Sequence, residues 1–358
     1  MHQYTITYLP GDGIGREVLP VGRQLLDALS QRHGFRIDWQ EYDWSCDRYH
    51  REGSMMPDDG LERIRRHDAI YLGAVGYPGV PDHISLWQML IPLRRAFQQY
   101  VNVRPVRLFA GVPCPLVDRQ PADIDFIVVR ENNEGEYSEI GGRIYAGTAE
   151  ETVTQQSVFT RRGVDRVLRY AFELARSRQR QHVTSATKSN GIVHTMPFWD
   201  ERFAAIGTDY PEVSTDQFHI DILTAHFVLH PDWFDVVVAS NLFGDILSDL
   251  GPAVAGTIGI AASANLNPER EFPSMFEPVH GSAPDIAGQG IANPVAAVWA
   301  GAMMLDHLGE QVAAADLLNA IETVLRDHPE ARTPDMGGSA TTAACGKALL
   351  AQLGRESR

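Results

Sequence analysis

The chain of 358 residues has a formal net charge of −15, with 44% hydrophobic and 22% charged residues. This length and composition predict a soluble globular protein of about two domains and exclude a largely disordered chain. The negative charge argues against nucleic acid as a partner, because binding a phosphate backbone needs a basic surface. Sites for anions must therefore be built from local groups of basic side chains.

The cysteines and the apolar stretches bear on the cellular compartment. Cys46, Cys114 and Cys345 are far apart and form no C-x-x-C pair, so they predict neither a disulfide framework nor a zinc ribbon. A reducing cytoplasm fits this cysteine usage best. The first residues lack a basic segment followed by a long apolar run, and no stretch approaches 18 uninterrupted apolar residues. We therefore expect neither export nor a membrane partner.

Short strand-like runs alternate with helical stretches along the chain, which is typical of an α/β protein. The predicted strands cover residues 4–9, 69–73, 126–130, 182–185 and 236–239, and the predicted helices cover residues 16–29, 86–98, 163–176, 196–205 and 295–308. The last helix should have Asn293 as its N-cap, Pro294 as its first residue and Gly309 as its stop. No low-complexity linker is present, so a continuous element must cross any domain boundary.

A glycine-rich turn, Pro10-Gly-Asp-Gly-Ile-Gly15, follows the first predicted strand. Its spacing is G-x-G-x-G, not the G-x-G-x-x-G of the dinucleotide-binding fingerprint, so a classical Rossmann fold is not predicted. Two interpretations stay open. The backbone of the turn approaches a ligand, or the turn simply connects a strand to a helix.

Three arginines, Arg94, Arg104 and Arg130, lie near the ends of predicted elements. Arg104 precedes a proline, which favours extended chain, and Arg130 closes a strand. Each alone is more simply explained as structural, but together in an acidic protein they predict forked donors for a dicarboxylate. Tyr137 follows seven residues after Arg130 and is either a proton donor or a half-buried packing residue.

Further polar residues come from the middle of the chain. Lys188 follows the fourth predicted strand, and a lysine there can act as a base when burial and a metal ion favour its neutral form. Asp221 lies in an apolar stretch, so we expect it to be buried with a partner, or to be a metal ligand. His226 and His230 lack the glutamate of H-E-x-x-H, and Pro231 ends their helix, so a zinc site is not favoured.

Asp245 and Asp249 follow the last predicted strand and are four residues apart. On a helix, two carboxylates at this spacing share one face, and hard divalent cations prefer such oxygen ligands. The simpler alternative is that they are acids favoured at a helix start or on a solvated face. The apolar neighbours Ile246, Leu247 and Leu250 favour a Mg2+ or Mn2+ site.

Six motifs, in order along nearly the whole chain, resemble those of the β-decarboxylating dehydrogenases of isocitrate and 3-isopropylmalate. They are Pro10-Gly-Asp-Gly-Ile-Gly15, Asn102-Val-Arg-Pro105, Val129-Arg-Glu-Asn132, Thr187-Lys-Ser-Asn190, Asn241-Leu-Phe-Gly-Asp-Ile-Leu-Ser-Asp249 and Glu277-Pro-Val-His-Gly-Ser-Ala-Pro-Asp-Ile-Ala-Gly-Gln-Gly-Ile-Ala-Asn-Pro294. Residues 80–87, 265–270 and 272–278 are most similar to the branch of this family that oxidises D-malate or tartrate.

The resemblance implies a two-domain α/β fold of the isopropylmalate-dehydrogenase type. Residues 1–103 and 256–358 would form a discontinuous cofactor-binding domain, and residues 104–255 would form the domain for substrate, metal and dimerisation. Residues 141–157 would be an arm that intertwines across a homodimer. Without the resemblance, this segment predicts only a loop or a hairpin.

The resemblance also implies how the site residues act. Arg94, Arg104 and Arg130 would hold the substrate carboxylates. Lys188, contributed from the other subunit, would help remove the hydroxyl proton as hydride passes from C2 to NAD+. Tyr137 would protonate the enol carbon after loss of CO2.

The metal ligands implied are Asp245 and Asp249 of one subunit and Asp221 of its dimer partner, with Mg2+ or Mn2+ bound between them. A monovalent cation such as K+ is a further implied cofactor. Asp285 resembles the position that accepts the adenosine-ribose hydroxyls, where a 2′-phosphate would meet like charge, so NAD+ is expected rather than NADP+. The other implied cofactor residues are Asn190 near the nicotinamide, Asn293 at the adenine, and His280, Gly281, Ser282 and Ala283.

The expected reaction is oxidation of D-malate to pyruvate and CO2. The helix from Leu86 to Arg94 has no serine or acid to meet a third carboxylate, which disfavours isocitrate. Trp87 would fill the space of an isopropyl group, although Pro92 would kink the helix and weaken that argument. Tartrate, 3-isopropylmalate, a non-catalytic subunit and a plain dicarboxylate-binding module remain alternatives.

Overall fold

A mixed ten-stranded sheet and a separate two-stranded sheet form the frame of the protein in the computed structural model, which describes residues 2–355. The strands are β1 (Gln3–Gly11), β2 (Arg36–Glu41), β3 (Ala69–Ala74), β4 (Val101–Arg107), β5 (Asp125–Glu131), β6 (Gly141–Ile144), β7 (Thr152–Gln155), β8 (His182–Thr187), β9 (Ser214–His219), β10 (Val236–Ala239), β11 (Ala262–Leu266) and β12 (Ser274–Pro278). The helices are α1 (Gly15–His33), α2 (Cys46–Glu52), α3 (Gly60–Ile64), α4 (Asp82–Ser85), α5 (Ile91–Ala96), α6 (Arg161–Ser177), α7 (Thr195–Gly207), α8 (Ile220–Leu229), α9 (Asn241–Val254), α10 (Val295–Leu308), α11 (Gln311–Asp327) and α12 (Thr342–Arg355).

The large sheet has the strand order β2-β1-β3-β12-β11-β4-β5-β10-β8-β9. Its two outer parts are parallel, while β11 is antiparallel to both β12 and β4, and β4 is antiparallel to β5. The order differs from the 3-2-1-4-5-6 order of a classical Rossmann sheet, so the α/β prediction without a Rossmann fold is confirmed. Strands from both ends of the chain lie on one side of β4 and strands from the middle on the other. The exact domain boundaries stay a prediction.

The five predicted strands and four of the five predicted helices are confirmed within a few residues. The exception is the helix predicted over residues 86–98. Leu86–Leu90 is a π-helical turn, in which the amide of Ile91 donates to the carbonyl of Leu86, and α5 follows. Pro92 is the physical reason, because it has no N–H to continue the ordinary helical hydrogen-bond pattern.

Helix α10 is buried on nearly every side, as its apolar sequence predicts. The helix begins at Val295, one residue later than predicted, and the amide of Val295 donates to Asn293 Oδ1 at 3.0 Å, so the side chain of Asn293 caps the start of α10. Gly309 ends the helix with a φ of 94°, a left-handed conformation that glycine adopts without strain. Both end signals are therefore confirmed.

Strands β6 and β7 pair as an antiparallel hairpin in which every residue is exposed. Ile144, Tyr145 and Val153 are 58%, 66% and 61% exposed. The hairpin interpretation of residues 141–157 is confirmed. A two-stranded hairpin is marginally stable alone, so a hairpin with these exposed apolar residues needs a surface against which it can pack.

The three cysteines are free thiols, in agreement with the prediction that they form no disulfide framework. Burial raises the pKa of both Cys46 and Cys345 to about 12, with the nearby Asp12 and Asp335 adding to the effect. Within residues 2–355, none of the helices combines the length and the apolar character needed to cross a membrane.

Candidate active site

A cavity of about 200 Å3 lies between α5, the ends of β4 and β5, and helix α9. Its lining residues are Leu86, Ile91, Arg94, Arg95, Arg104, Arg130, Asn132, Asn133, Tyr137, Asn241 and Asp245. The three predicted arginines, the tyrosine and one of the predicted metal ligands are therefore brought together from separate parts of the chain. The cavity is large enough for a small dicarboxylate.

The three arginines are buried in this cavity and face acidic side chains. Arg130 pairs with Asp245, Arg104 pairs with Asp249 at 3.1 Å, and Arg94 approaches Glu277 at 3.4 Å. Burial, reinforced by the nearby Arg130, lowers the pKa of Arg104 to about 10.

Two of these guanidinium groups retain unused donors. The Nε atoms of Arg94 and Arg104 are buried and have no hydrogen-bond partner within residues 2–355. Unpaired buried donors are costly, and a negative charge bound in the cavity would offset the positive charge of these guanidinium groups. The arrangement therefore fits a doubly negative ligand.

Asp245 and Asp249 both lie on α9, as the i, i+4 spacing predicts. Burial alone would raise the pKa of Asp245, but the charges of Arg130 and Arg104 outweigh it, and the pKa is lowered. The pKa of Asp249 is raised by partial loss of hydration, although its side chain is 61% exposed, and the negative charge of Asp245 adds to this effect while Arg104 opposes it. A divalent cation between the two carboxylates would relieve their repulsion.

Gly244 allows α9 to approach β5 closely. A Cβ atom at this position would lie 2.6 Å from both Cβ and Cγ of Arg130, which is shorter than any normal contact. Because Gly244 has no side chain, α9 and its carboxylates can lie directly against Arg130.

We expect Gly244→Ala to lower kcat/KM by about tenfold or more and to destabilise the fold by about 1–3 kcal/mol, because α9 must move away from β5. Gly354→Ala is the matched control, since Gly354 is also helical and nothing lies within 4 Å of an added Cβ. Thermal unfolding and steady-state kinetics measure both effects. Equal behaviour of the two variants would contradict the close-approach argument.

Tyr137 contacts both Asp245, a predicted metal ligand, and an arginine. Its hydroxyl donates to Asp245 Oδ2 at 2.9 Å, and its ring centroid lies 5.5 Å from the guanidinium carbon of Arg130. Burial, with the adjacent Asp245, raises the pKa of Tyr137. The side chain is partly buried, as the packing interpretation requires, but its hydroxyl keeps its proton and points into the polar site.

Lys188 and Asp221 form a pair with each other outside the lining of the cavity. Lys188 Nζ lies 2.8 Å from Asp221 Oδ1, and this contact is the main cause that lowers the pKa of Asp221. The expectation that Asp221 is buried is wrong for the single chain, where its side chain is 68% exposed. Asp221 lies in the first turn of α8, where its side chain is exposed, while Leu223 and Phe227 of the same helix are buried.

The described chain does not by itself assemble a three-ligand metal site. Among residues 2–355, no group of three or more His, Cys, Asp or Glu side chains is placed to hold a metal ion. Asp221 is thus not grouped with Asp245 and Asp249 within one chain. His226 and His230 have ring centroids 5.9 Å apart, and His230 stacks on Trp233, so these rings act as packing groups.

The glycine turn after β1 packs directly against the predicted cofactor loop. The amide of Ile14 donates to the carbonyl of Ser282 at 2.9 Å, and a Cβ on Gly13 would lie 2.1 Å from that same oxygen. Gly13 also has a φ of 51°. The turn therefore does more than connect a strand to a helix, because it supports the backbone of the loop.

The predicted cofactor residues differ in their surroundings. His280 is buried, its Nε2 has no partner within the described chain, and burial lowers its pKa. Asn293 donates to Asp335 at 2.9 Å. Gly281, Asp285 and Asn190 are exposed, Ser282 is buried and Ala283 is partly buried.

Several residues of the site carry no clear signal in the sequence. Asn241 Oδ1 accepts from Nε and Nη2 of Arg130 at 3.0 and 2.8 Å, while Asn132 and Asn133 line the cavity. Arg95 donates to the carbonyl of Tyr137 at 3.1 Å. The position of Asn241 directly after a buried strand was the one available signal.

The pocket argument based on Trp87 is not supported. Trp87 is not among the described residues that line the cavity, and its ring lies under the guanidinium of Arg95 at 5.2 Å. Leu86 and Ile91 form the apolar wall instead. The π-helical turn changes the direction in which each side chain of this segment points, which an ordinary helix would not predict.

A larger cleft of about 770 Å3 lies beside the glycine turn. Its lining includes Gly11, Arg16, Arg23 and Asp43, and it contains none of the predicted substrate or metal residues. The smaller cavity is the better candidate for chemistry, because it combines buried arginines, perturbed carboxylates and a tyrosine hydroxyl.

Comparison with known proteins shows the family to which the chain belongs. The sequence model of the family described as isocitrate/isopropylmalate dehydrogenase matches residues 5–349. The chain is 63% identical to the D-malate dehydrogenase [decarboxylating] of Escherichia coli (strain K12) over 96% of each chain. It is 60% identical to the tartrate dehydrogenase/decarboxylase of Pseudomonas putida over 99% of each chain.

The fold has a similar counterpart among solved structures. The crystal structure of isocitrate dehydrogenase from Methylococcus capsulatus superposes with a TM-score of 0.87 at 35% identity and covers 99% of both chains. The family match spans far more than half of the sequence, and the site residues lie within it. The chain is therefore an enzyme of the isocitrate/isopropylmalate dehydrogenase family.

Proposed function

We propose that this enzyme catalyses the NAD+-dependent and divalent-metal-dependent oxidative decarboxylation of D-malate to pyruvate and CO2. The observation that carries the proposal is the convergence of three buried arginines on a small cavity that also contains Asp245 and Tyr137. Its support is the high identity to a D-malate dehydrogenase over nearly the full length.

The residues around the cavity fit a hard divalent cation. Asp245 and Asp249 offer only oxygen donors, which Mg2+ and Mn2+ prefer, and a cation would offset the burial that raises the pKa of Asp249. When bound, the ion would stabilise the negative charge that develops on the substrate oxygen as CO2 leaves. The third protein ligand proposed is the Asp221 of a second subunit.

The loop of residues 280–293 fits NAD+. The carboxylate of Asp285 is exposed and has no ion pair or hydrogen bond in the part of the chain that the structure describes, so it is free to accept two ribose hydroxyls. His280 lies earlier in the same loop, and its buried Nε2 atom has no hydrogen-bond partner among the described residues. When bound, NAD+ would accept the hydride from C2 of the substrate.

The side chains have distinct proposed roles in the reaction. Arg94, Arg104 and Arg130 hold the two substrate carboxylates and fix the orientation of C2 and C3. Lys188 takes the proton of the C2 hydroxyl as oxidation proceeds. The hydroxyl of Tyr137, whose pKa is raised, donates its proton to C3 after CO2 has left.

The proposed assembly is a homodimer with shared active sites. Lys188 and Asp221 lie outside the cavity of their own chain, and α8 and α9 expose the apolar side chains Ile222, Leu229, Leu242 and Ile246. Pairing these helices with those of a second copy would cover them. The hairpin β6–β7 would cross to the partner and bury its exposed apolar residues. A monovalent cation such as K+ is a further proposed cofactor. The proposed location is the cytoplasm, which the free cysteines favour.

The test is the initial rate of NADH formation with Mn2+ and each of D-malate, L-tartrate and 3-isopropylmalate. We expect kcat/KM to be highest for D-malate, with tartrate also used, because an apolar wall discriminates an added hydroxyl by only about 1–3 kcal/mol. A lead for tartrate would favour the second candidate, which the 60% identity to a tartrate dehydrogenase supports. No turnover of any acid would support a non-catalytic subunit.

A further inference from the structure

Helix α9, which carries both proposed metal carboxylates, is capped by a residue from another segment. Ser240 occupies the N-cap position, but its side chain accepts no hydrogen bond from the helix. Instead, Glu136 Oε2 accepts from the amide of Leu242 at 3.0 Å, and Glu136 Oε1 accepts from the hydroxyl of Ser240 at 2.8 Å. The negative charge of this carboxylate lies at the positive end of the helix dipole, where it is favourable.

Two further contacts join the segment around Glu136 to the first turns of α9. The residue that follows Glu136 is Tyr137, whose hydroxyl donates to Asp245, one turn into the same helix. Asn241 also joins the two segments, because its Nδ2 donates to the carbonyl of Glu134 at 2.9 Å. The loop of residues 131–137 is thus joined to the N-terminal part of α9 at three residues, Glu134, Glu136 and Tyr137.

We propose that Glu136 is a positioning residue that sets the register of the Tyr137 hydroxyl against the carboxylates of α9. The inference rests on the proposed function for the role of Tyr137. Glu136 does not line the cavity, so it acts through its two neighbours. Without its carboxylate, only the side-chain amide of Asn241 and the hydroxyl of Tyr137 still join this loop to α9 by hydrogen bonds, and the first turn of α9 loses its cap.

Glu134 provides a matched control in the same loop. Its carboxylate accepts from the amide and the hydroxyl of Thr160 at 2.8 Å each, at the start of α6. It therefore makes the same kind of contact with a helix that carries none of the proposed site residues. Glu134→Gln and Glu136→Gln alter equivalent groups and differ in the helix that they affect.

The first measurement is kinetic. We expect Glu136→Ala to lower kcat with D-malate by about tenfold or more, because small displacements of a catalytic group are costly, and to leave KM within about threefold because the arginines are untouched. Glu136→Gln should recover part of the loss, since its amide oxygen still accepts from Leu242. Glu134→Gln should stay within about twofold of the wild type in kcat.

The second measurement is independent of turnover. Amide hydrogen exchange in the first turn of α9 should be faster in Glu136→Ala but not in the matched Glu134→Ala, and Mn2+ affinity should fall only in the first variant. Unchanged exchange and Mn2+ affinity, an unchanged kcat, or equal losses in both variants would overturn the positioning role. An inactive wild type would overturn the proposed function alone, because exchange and Mn2+ binding would still decide whether Glu136 positions α9.

Discussion

Replacing Lys188 with alanine is expected to lower kcat for D-malate by roughly 10²- to 10⁴-fold, the usual contribution of a general base. KM should change little, because the arginines, and not this lysine, are proposed to hold the substrate carboxylates. In the structure Lys188 Nζ lies 2.8 Å from Asp221, so the substitution also removes the main partner of a proposed metal ligand. NADH absorbance in steady-state assays measures the loss.

The chain offers a well-matched control for this experiment. It contains only two lysines, Lys188 and Lys347, and the second is exposed on α12. Lys347→Ala should retain the kcat of the wild type. Lys188→Arg keeps the positive charge but cannot readily accept a proton, so it should be nearly as slow as Lys188→Ala. Full turnover by either Lys188 variant would remove this residue from the mechanism.

Mixing two inactive variants tests whether the active site is shared. A dimer with one Lys188→Ala subunit and one Asp245→Asn subunit has one site with both substitutions and one with neither. Random reassociation of equal amounts should therefore restore about a quarter of the wild-type activity if the two residues come from different subunits. Restoration would not occur if both residues act within the same chain.

The sequence predicted elements whose signals are local. The apolar run of β10 and the Asn293 and Gly309 signals of α10 depend on neighbouring residues, and each is confirmed. Strands β11 and β12 escaped prediction because pairing with β4 and β3, far away in the chain, stabilises them. The π-helical turn before Pro92 was also missed. A proline within a helical segment predicts that the helix is distorted, but it does not predict whether the distortion is a kink or a π-helical turn.

The site was predictable where residue chemistry alone decides. Buried arginines need anions and paired aspartates attract cations, so Arg104, Arg130 and Asp245 could be named before their contacts were known. Asn241 was missed as a partner of Arg130, because an asparagine after a strand is common in turns. Asp221 was predicted to be buried but is exposed in the single chain. An apolar sequence does not show whether the helix that it forms packs against its own chain or against another one.

Replacing Asp245 with asparagine should give the other large effect, a fall in kcat of about 10³-fold. A metal ion that stabilises developing charge contributes several kcal/mol, and each 1.4 kcal/mol corresponds to a factor of ten. The neutral amide is a weaker ligand, so Mn2+ affinity should fall as well. KM for D-malate should stay level or decrease, because the Nη1 atom of Arg130 loses its ion pair with Asp245 and becomes available to the substrate.

Asp306→Asn, an exposed substitution on α10, controls for loss of one negative charge and should leave kcat and Mn2+ affinity unchanged.

The wild-type affinity for Mn2+ should decrease as the pH falls, first through protonation of Asp249, because its pKa is raised while that of Asp245 is lowered. Calorimetric titration of Mn2+ at several pH values measures this order. Turnover that survives thorough EDTA treatment, or an Asp245→Asn variant with normal kcat, would show that these carboxylates serve only to neutralise Arg104 and Arg130.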